Sequence, residues 1–423
     1  MLDFIVALQD TWIYRAALFY LAAYPILMSL GWITTSLFYR YRWEAEEGDA
    51  GAPPPKLVEV PKVSVLVPAH NEADVIRDSI AAACGMDYPD YEVVVVDDGS
   101  TDGTRAILEE FAAAGRIRLI SKVTNEGKAL AINDAIPCLK GEIVLVLDAD
   151  AEPVPDLLRY IVPHFSSGRV AAVTGNPRVK NVGTFLARLQ LIEFTSIVSL
   201  LRRSQRIWGR VVTVSGVVAA FRKSALVDVG LFSPDMPTED IELTWKLQKR
   251  FWDVRYEPNA VAWMTVPSTY RGLFRQRLRW ARGLMHVLNR HRDVIVTWKL
   301  RRMWPVFLEA CMSALWAFDF VVLTSIWILS YGLGYPPVGA SPIPNFWGMT
   351  IGTLCMLQLF VGTVMDRRYD EEVVRFYPYA VYYPIIYWML MAICTFIALP
   401  RLFTAPPNKA VRWTSPRAGE VLR

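Results

Sequence analysis

The apolar residues of this chain are gathered into a few long segments, and this distribution limits the possible folds more than any other feature. Of the 423 residues, 53% are hydrophobic, and the mean hydropathy of +0.25 is high for a soluble protein of this length. One mostly apolar segment covers residues 12–39, and three more cover about 305–331, 346–365 and 377–400. Each is long enough to cross a bilayer, which takes roughly 20 residues. The sequence therefore predicts a soluble domain held by membrane helices.

The segments divide the chain into four parts. We expect a transmembrane anchor over residues 1–43 and a linker rich in acids, Gly and Pro over 44–61. A soluble domain with interfacial helices is expected over residues 62–300, followed by transmembrane helices and a basic tail over 301–423.

The distribution of basic residues predicts the orientation. Arg40 and Arg42 follow the first segment directly and place the soluble domain in the cytoplasm, because cytoplasmic loops are enriched in Lys and Arg. Four crossings would then put the tail outside, although its charge favours the inside. Arg401, Lys409, Arg412 and Arg417 make the tail basic. Either one segment is re-entrant or interfacial, which Pro384 would permit, or the tail departs from the rule.

Charge and cysteine content narrow the classes of partner. The net charge is only +4, and no basic stripe with interleaved aromatic residues is present, so nucleic acid is not expected as a partner. The five Cys residues are scattered without a CxxC pair. They indicate reduced thiols, which agrees with a cytoplasmic domain.

The soluble domain begins with strands and helices in alternation. Apolar runs of strand length occur at residues 63–68, 92–97, 117–120 and 142–147, and segments with helical spacing lie between them. This alternation predicts a largely parallel sheet with helices on both faces. After residue 150 the alternation breaks down, and a long amphipathic helix is expected over 184–205.

Acidic residues stand where these strands end. Asp148 and Asp150 follow the fourth run, Asp98 ends the second, and the polar stretch from Ala69 to Glu72 ends the first. In open α/β sheets, ligands bind outside the carboxyl ends of the strands. Carboxylates there can hold a base or ribose and a hard cation, Mg²⁺ or Mn²⁺, on a diphosphate. The alternative is that each strand simply ends in a polar turn.

Two further polar motifs each allow two interpretations. Lys128 lies in a Gly-containing loop before a helix, where it can neutralise phosphate or can be a solvated turn residue. The stretch from Thr238 to Asp240 begins an amphipathic helix, whose first turn favours acids for structural reasons alone. Its carboxylate can also serve as a general base toward a sugar hydroxyl.

A basic amphipathic helix is expected over residues 271–288, and it contains Gln276, Arg279 and Trp280. Many such helices only lie at a membrane interface. Trp also offers an apolar face for stacking a sugar ring, and Arg can bind a diphosphate through its forked donors.

Together, four motifs carry a resemblance. Residues 97–100 (Asp-Asp-Gly-Ser), 148–150 (Asp-Ala-Asp), 238–240 (Thr-Glu-Asp) and 276–280 (Gln-Arg-Leu-Arg-Trp) occur in this order. The chain resembles the processive inverting glycosyltransferases of family 2, which include the cellulose, chitin and hyaluronan synthases. The resemblance implies an α/β GT-A domain, with a Rossmann-like mixed sheet, embedded in an α-helical membrane protein.

Four other stretches look like the bacterial poly-β-1,6-N-acetylglucosamine synthases that produce biofilm matrix: residues 172–178, 213–222, 245–248 and 412–416. The narrower resemblance extends over nearly everything after residue 61 and is weakest before it.

The resemblance implies a role for each matched residue. Asp240 would be the catalytic base, and Asp150 would bind the metal, Mg²⁺ or Mn²⁺. Donor binding would fall to Ala69, Glu72, Asp98, Lys128, Asp148 and Arg279. The acceptor end and its gating would fall to Ser215, Gly216, Thr238, Glu239, Gln276 and Trp280.

The implied function is the polymerisation of N-acetylglucosamine from UDP-GlcNAc into β-1,6-linked polysaccharide and its movement across the bacterial inner membrane. The implied partners are the lipid bilayer, the growing polysaccharide and a small two-helix membrane subunit with cyclic di-GMP regulation. One alternative is the synthase of another polymer (chitin-, hyaluronan- or cellulose-like) or a lipid-linked sugar transferase. The other is a non-catalytic membrane scaffold or transporter subunit.

Overall fold

The structure is a computed structural model that describes residues 11–44, 54–334, 346–404 and 409–412. Residues 45–53 of the expected linker lie outside these ranges, as does the tail from residue 413, with Arg417 and most of the 412–416 stretch.

Within the described ranges, one mixed sheet of eight strands forms the centre of the soluble domain. The strands are β1 Val63–Ala69, β2 Tyr91–Asp98, β3 Arg118–Lys122, β4 Ile143–Leu147, β5 Glu152–Pro153, β6 Val170–Val179, β7 Val218–Arg222 and β8 Asp253–Met264. Their order across the sheet is β3-β2-β1-β4-β7-β6-β8-β5. Strands β1 to β4 pair in parallel, as the alternation predicts, whereas β7 runs antiparallel to both β4 and β6.

Helices cover both faces of the sheet and continue into the apolar segments. The α-helices are α1 Trp12–Tyr39, α2 Ile76–Ala83, α3 Thr104–Ala113, α4 Lys128–Ala135, α5 Leu157–Ile161, α6 Phe185–Glu193, α7 Leu201–Trp208, α8 Lys223–Asp228, α9 Glu239–Lys249, α10 Tyr270–Arg290, α11 Asp293–Val296, α12 Trp304–Gly332, α13 Phe346–Asp366, α14 Val373–Phe376 and α15 Trp388–Ala398. A π-helical stretch, Phe194–Leu200, joins α6 to α7, so that the helix expected over 184–205 is nearly continuous. A second π-helical turn, Arg40–Glu44, extends α1.

The apolar faces of these elements explain why they pack as they do. In α2, Ile76, Ile80 and Ala83 recur at helical spacing and are buried against β1 and β2. All five residues of β4 are buried because the strand has neighbours on both edges and helices on both faces. The carboxyl ends of β1, β2 and β4 therefore open toward one edge of a rigid, well-packed sheet.

Four helical segments in the described part of the chain are long and apolar enough to cross a membrane: Trp12–Glu44, Trp298–Gly332, Gly348–Asp366 and Val373–Leu402. The last is broken. A 3-10 turn, Tyr377–Tyr382, leads into a π-helical turn, Tyr383–Tyr387, before α15 begins. Pro384 lies in the π-helical turn, where it lacks the amide donor that a regular helix needs.

A fully buried ionic network joins the soluble domain to the apolar helices. On α7, Arg203 donates to Glu44 at the end of α1 (2.5 Å) and to Asp366 at the end of α13 (2.8 Å). The other carboxylate oxygen of Asp366 accepts from Arg178 of β6 at 2.7 Å. Each charge is thus paired, as buried charges must be.

The described part of the tail lies on the soluble domain. The amide of Val411 donates to the carbonyl of Pro234 at 2.8 Å, and the carbonyl of Val411 lies beside Gly127. Nearby, the side chain of Asn289 on α10 donates to the carbonyl of Thr404. The chain therefore returns to the soluble domain after its last apolar segment.

Candidate active site

The end of β4 places Asp148 beside the loop that precedes β7. The amide of Asp148 donates to the carbonyl of Val217 at 3.0 Å, and its carbonyl accepts from Ala151 in a turn that carries Asp150. Burial, and secondarily the neighbouring Asp150, raises the pKa of Asp148, although Lys128 opposes the shift. The strand therefore does end in a polar turn, which was one of the two interpretations from the sequence. The same turn also places its carboxylates near Lys128.

Lys128 lies in the middle of that space and is not a solvated turn residue. Its ammonium group is 2.5 Å from Asp148 and 3.5 Å from Glu239, and it donates to the carbonyl of Gly216 at 3.1 Å. Burial alone would lower the pKa of Lys128, but the carboxylates of Asp148 and Glu239 raise it above its ordinary value. The lysine therefore stays charged and joins Asp148 to Glu239.

Asp240 faces the same space from the first turn of α9. One of its oxygens accepts from the amide of Ile241 at 2.9 Å. The other lies so near Gly216 that a Cβ at this glycine would be 3.0 Å from it. Burial, followed by the negative charge of Glu239, raises the pKa of Asp240 to about 6. A carboxylate with this pKa is ionised at neutral pH and is still a competent proton acceptor.

These groups border one small pocket, lined on its polar side by Lys128, Ser215, Gly216, Glu239 and Asp240. The backbone of Ser215 is fixed by a hydrogen bond, in which its amide donates to the Thr174 hydroxyl oxygen at 2.7 Å. Five of the predicted site residues thus line the same pocket.

Asp98 is fully buried at the end of β2 and shapes the loop before Lys128. Its two oxygens accept from the amides of Glu126 (3.1 Å) and Gly127 (2.8 Å). Gly127 has φ 102°, a conformation that favours glycine. Asp98 therefore orders the loop before Lys128, and the contact with uridine that the resemblance implies would come in addition to these bonds.

Ala69 and Glu72 lie at the neighbouring strand end. Ala69 pairs with Asp97 across β1 and β2, and the amide of Glu72 donates to Thr104 at 2.8 Å. Between them, His70 bonds the carbonyl of Asp98 at 2.8 Å. These two predicted donor-binding residues therefore lie at the carboxyl end of β1, next to the end of β2 that carries Asp98.

The basic helix α10 packs against the start of α9. Arg279 is exposed and donates to the carbonyl of Pro237 at 3.0 Å. Thr238 is buried directly over Gly283, where an added Cβ would lie only 2.1 Å from the threonine hydroxyl oxygen. Gly283 was not singled out from the sequence, yet it sets how closely α10 approaches the Thr238–Asp240 motif.

Arg277, also not singled out, is the buried arginine of α10. It donates to Glu193 at 2.5 Å and to the hydroxyl of Tyr387, and its guanidinium stacks over Trp280 at 4.0 Å from the ring centroid. A further donor reaches Gln276 at 3.0 Å. The predicted acceptor residues Gln276 and Trp280 are therefore oriented by Arg277. The alternation of arginines in the sequence does not reveal which one is buried.

Arg202 on α7 is a third residue of the site that was not singled out from the sequence. It is buried, donates to the carbonyl of Gly175 at 3.2 Å, and lies near enough to Asp240 for the two charges to interact. Burial lowers the pKa of Arg202, and the negative charge of Asp240 opposes that shift. In the sequence it appeared only as one of several basic residues near the end of a helix.

Comparison with known proteins identifies the family of this chain. Residues 64–230 match the Glycosyl transferase family 2 model. The chain is 32% identical over 407 residues to a poly-beta-1,6-N-acetyl-D-glucosamine synthase of Staphylococcus epidermidis, covering 96% of this chain and 99% of that protein. A synthase of the same name from Staphylococcus aureus (strain MSSA476) is 32% identical over 410 residues, with the same coverage.

A solved structure shows the same fold. A mannosyltransferase from Pyrobaculum calidifontis, in complex with GDP-Man and Mn²⁺, superposes with a TM-score of 0.61 at 23% sequence identity. The match covers 90% of this chain and 99% of that one, and it confirms the expected GT-A fold. From the extent of its identity to the staphylococcal synthases, the chain is a glycosyltransferase enzyme and belongs, within family 2, to the poly-β-1,6-N-acetyl-D-glucosamine synthases.

Proposed function

We propose that this enzyme polymerises N-acetylglucosamine from UDP-GlcNAc into a β-1,6-linked polysaccharide for biofilm matrix. The observation that carries the proposal is the Asp240 carboxylate, which faces Gly216 in a pocket that it shares with Lys128, and the Lys128 ammonium group in turn pairs with Asp148. The names of the staphylococcal relatives support the choice of sugar and linkage.

In the proposed reaction, Asp240 accepts the proton of the 6-hydroxyl on the terminal sugar of the acceptor. The oxygen of that hydroxyl forms a bond to C1 of the donor sugar, while the bond from C1 to the UDP oxygen breaks and UDP leaves. Attack from the opposite side converts the α-linkage of the donor into a β-linkage. The charges of Lys128 and Arg279 stabilise the negative charge that develops on UDP.

The acidic pair at the end of β4 fits a divalent cation. Mg²⁺ at nucleotide sites takes one or two carboxylates and completes its ligands with phosphate oxygens and water. In the described ranges no three acidic, His or Cys side chains converge as a self-sufficient metal cage. Asp150 would bind the cation, Mg²⁺ or Mn²⁺, with Asp148 beside it, where the Lys128 ammonium already meets a carboxylate oxygen. A bound cation would supply positive charge to the leaving diphosphate.

We also propose that the enzyme lies in the bacterial inner membrane with its catalytic domain in the cytoplasm, and that its apolar helices move the polymer across. The four segments of sufficient length and the basic residues Arg40 and Arg42 support this arrangement. A small two-helix partner and cyclic di-GMP regulation remain proposals based on family resemblance alone.

The test compares Asp240→Asn with wild type in membranes supplied with UDP-GlcNAc and Mg²⁺ or Mn²⁺. Loss of the base should lower polymer formation by about 10²-fold or more. The control is Asp78→Asn, which changes an exposed acid on α2. Unchanged polymer formation by folded Asp240→Asn would refute the base assignment. Linkage analysis of the wild-type product that found another sugar or linkage would refute the proposed product.

A further inference from the structure

Helix α9 carries, one to two turns beyond Asp240, three buried side chains that the proposed chemistry does not use. Thr244, Trp245 and Gln248 are 0%, 0% and 2% exposed. Buried polar atoms are costly unless they are hydrogen-bonded, so their partners indicate what the helix holds.

All three side chains bond the main chain of one irregular segment. We call residues 211–216 the acceptor loop, because they end in Ser215 and Gly216. The Thr244 hydroxyl accepts from the amide of Val214 at 3.0 Å, and the Trp245 indole donates to the carbonyl of Val212 at 3.0 Å.

Gln248 completes the set with both ends of its amide group. Its carbonyl oxygen accepts from the amide of Val211 at 3.0 Å, and its NH₂ group donates to the carbonyl of the same residue at 2.8 Å. Side chains of α9 thus hydrogen-bond the main-chain amides and carbonyls of the acceptor loop, which in a sheet would be bonded by a neighbouring strand.

The opposite side of the acceptor loop is bonded as well. The amide of Val212 donates to Gln205 of α7 at 3.0 Å, and the amide of Ser215 donates to Thr174 of β6 at 2.7 Å. The loop is therefore fixed from both sides, although it belongs to no regular element.

Thr244 links this arrangement directly to the proposed base. While its oxygen accepts from Val214, its hydroxyl donates to the carbonyl of Asp240 at 2.7 Å. Gly216, two residues beyond Val214, is the residue against which the Asp240 carboxylate packs. One hydroxyl group therefore connects the residue carrying the base with the loop that faces it.

We propose that Thr244, Trp245 and Gln248 are positioning residues for glycosyl transfer. They hold the acceptor loop and Asp240 as one unit, so that an acceptor hydroxyl placed by the loop meets the carboxylate. This role rests on the proposed function of Asp240. It assigns a purpose to the 245–248 stretch, which the sequence matched to relatives without a role.

The test is Thr244→Val, which keeps the shape of the side chain and removes its hydroxyl, with Thr244→Ser as the conservative variant. We expect Thr244→Val to lower kcat about 10-fold, since a misplacement of 1 Å at a reacting centre can cost as much as 10²-fold. The KM for UDP-GlcNAc should change less than about twofold, because the donor residues lie on other elements. Thr244→Ser should restore most of kcat.

A readout specific to positioning is the ratio of UDP released by hydrolysis to UDP released with polymer growth. Thr244→Val should raise this ratio, since a misplaced base activates the acceptor less well while the donor stays bound. The matched control is Thr363→Val in α13, another buried hydroxyl that donates to the carbonyl four residues before it. It should leave the ratio unchanged.

Equal kcat and an equal hydrolysis ratio in wild type and Thr244→Val would overturn the proposal, as would a parallel effect of Thr363→Val. If Thr244→Val does not fold, Trp245→Phe replaces it, because this change removes one hydrogen bond to the loop. We expect the same result: a lower kcat, a nearly unchanged KM for UDP-GlcNAc and a higher hydrolysis ratio. Inactivity of the wild type toward UDP-GlcNAc would instead count against the proposed function, and it is seen before any variant is compared.

Discussion

The acidity of Asp240 gives the site a measurable signature. Burial and Glu239 raise its pKa to about 6, while Lys128 and Arg279 act in the opposite direction. Arg202 is the further charge that faces it, from α7. A general base works deprotonated, so kcat/KM should be constant near neutral pH and should fall about tenfold per unit below pH 6. Glu239→Gln removes a negative charge next to Asp240, which lowers the Asp240 pKa. The acidic limb of the profile, where kcat/KM falls, should therefore move to lower pH.

The measurement is kcat/KM against pH for wild type and Glu239→Gln, with the metal concentration held saturating. Glu110→Gln, at an exposed acid on α3 that does not line the pocket, is the control and should not change this pH dependence. If the acidic limb of Glu239→Gln stays in place or moves to higher pH, the charge of Glu239 does not contribute to the raised pKa of Asp240.

At the residue scale, the sequence predicts carboxylates better than their partners. Asp148 and Asp240 stand at a strand end and a helix start, and such positions can be identified from local pattern. Arg277 and Arg202 cannot be identified in this way. Each belongs to a run of arginines on an amphipathic helix, and only the packing of distant elements decides which guanidinium is buried and paired.

At the element scale, the approach of α10 to α9 depends on the absence of a side chain at Gly283. A Cβ there would lie 2.1 Å from the Thr238 hydroxyl oxygen and 2.5 Å from its methyl carbon, so Gly283→Ala must displace either the Thr238 side chain or α10. We expect the variant to lose at least about 10-fold in polymer formation, because a shift near 1 Å is costly at a reacting centre. The measurement is the initial rate with UDP-GlcNAc in membranes with matched protein amounts.

Gly31→Ala is the matched control, because Gly31 lies in helix α1 and, in the part of the chain that the structure describes, no other element comes within 4 Å of an added Cβ. Alanine favours a helix by roughly 0.5–1 kcal/mol over glycine, so this variant should be as active as wild type and no less stable. Full activity of Gly283→Ala would mean that the contact of the two helices does not position the motif.

The first half of the sheet could be predicted from the sequence and the second half could not. Each of the first four strands is an apolar run of strand length between helical patterns, and β1 to β4 occur within two residues of the expected bounds. Strand β6 contains Gly175 and Pro177, and β8 contains Pro258 and Asn259, which are unfavourable in strands. These two strands pair with register shifts over a long sequence separation, so no local pattern indicates them.

At the scale of the whole molecule, buried charges join the soluble domain to the apolar helices. Asp366 meets Arg203 and Arg178 at the boundary between α13, α7 and β6, and Glu44 meets Arg203 at the end of α1. A buried ion pair adds little net stability, but removal of one partner leaves an uncompensated charge that costs about 3–5 kcal/mol. We infer that the network favours this arrangement of the apolar helices on the soluble domain over arrangements that would separate its charges.

The last apolar segment decides on which side the tail lies. At its start, Tyr379 and Tyr382 pack on Phe185 of α6, and beyond its end the Thr404 carbonyl accepts from Asn289 of α10. Both ends thus contact the soluble domain, as expected of the interfacial or re-entrant segment that was one of the two alternatives from the sequence. We therefore predict that the tail lies on the side of the catalytic domain.

Reporter fusions test this prediction directly. A fluorescent protein that matures only in the cytoplasm, fused after Arg412, should fluoresce, and alkaline phosphatase, which needs the outer side, should be inactive there. Fusions after Gly334, at the far end of α12, should give the opposite pattern and serve as the control. Active phosphatase after Arg412 would mean that the segment from Val373 to Leu402 crosses the membrane. The contacts of Val411 with the loop beside Lys128 could not then form in the cell.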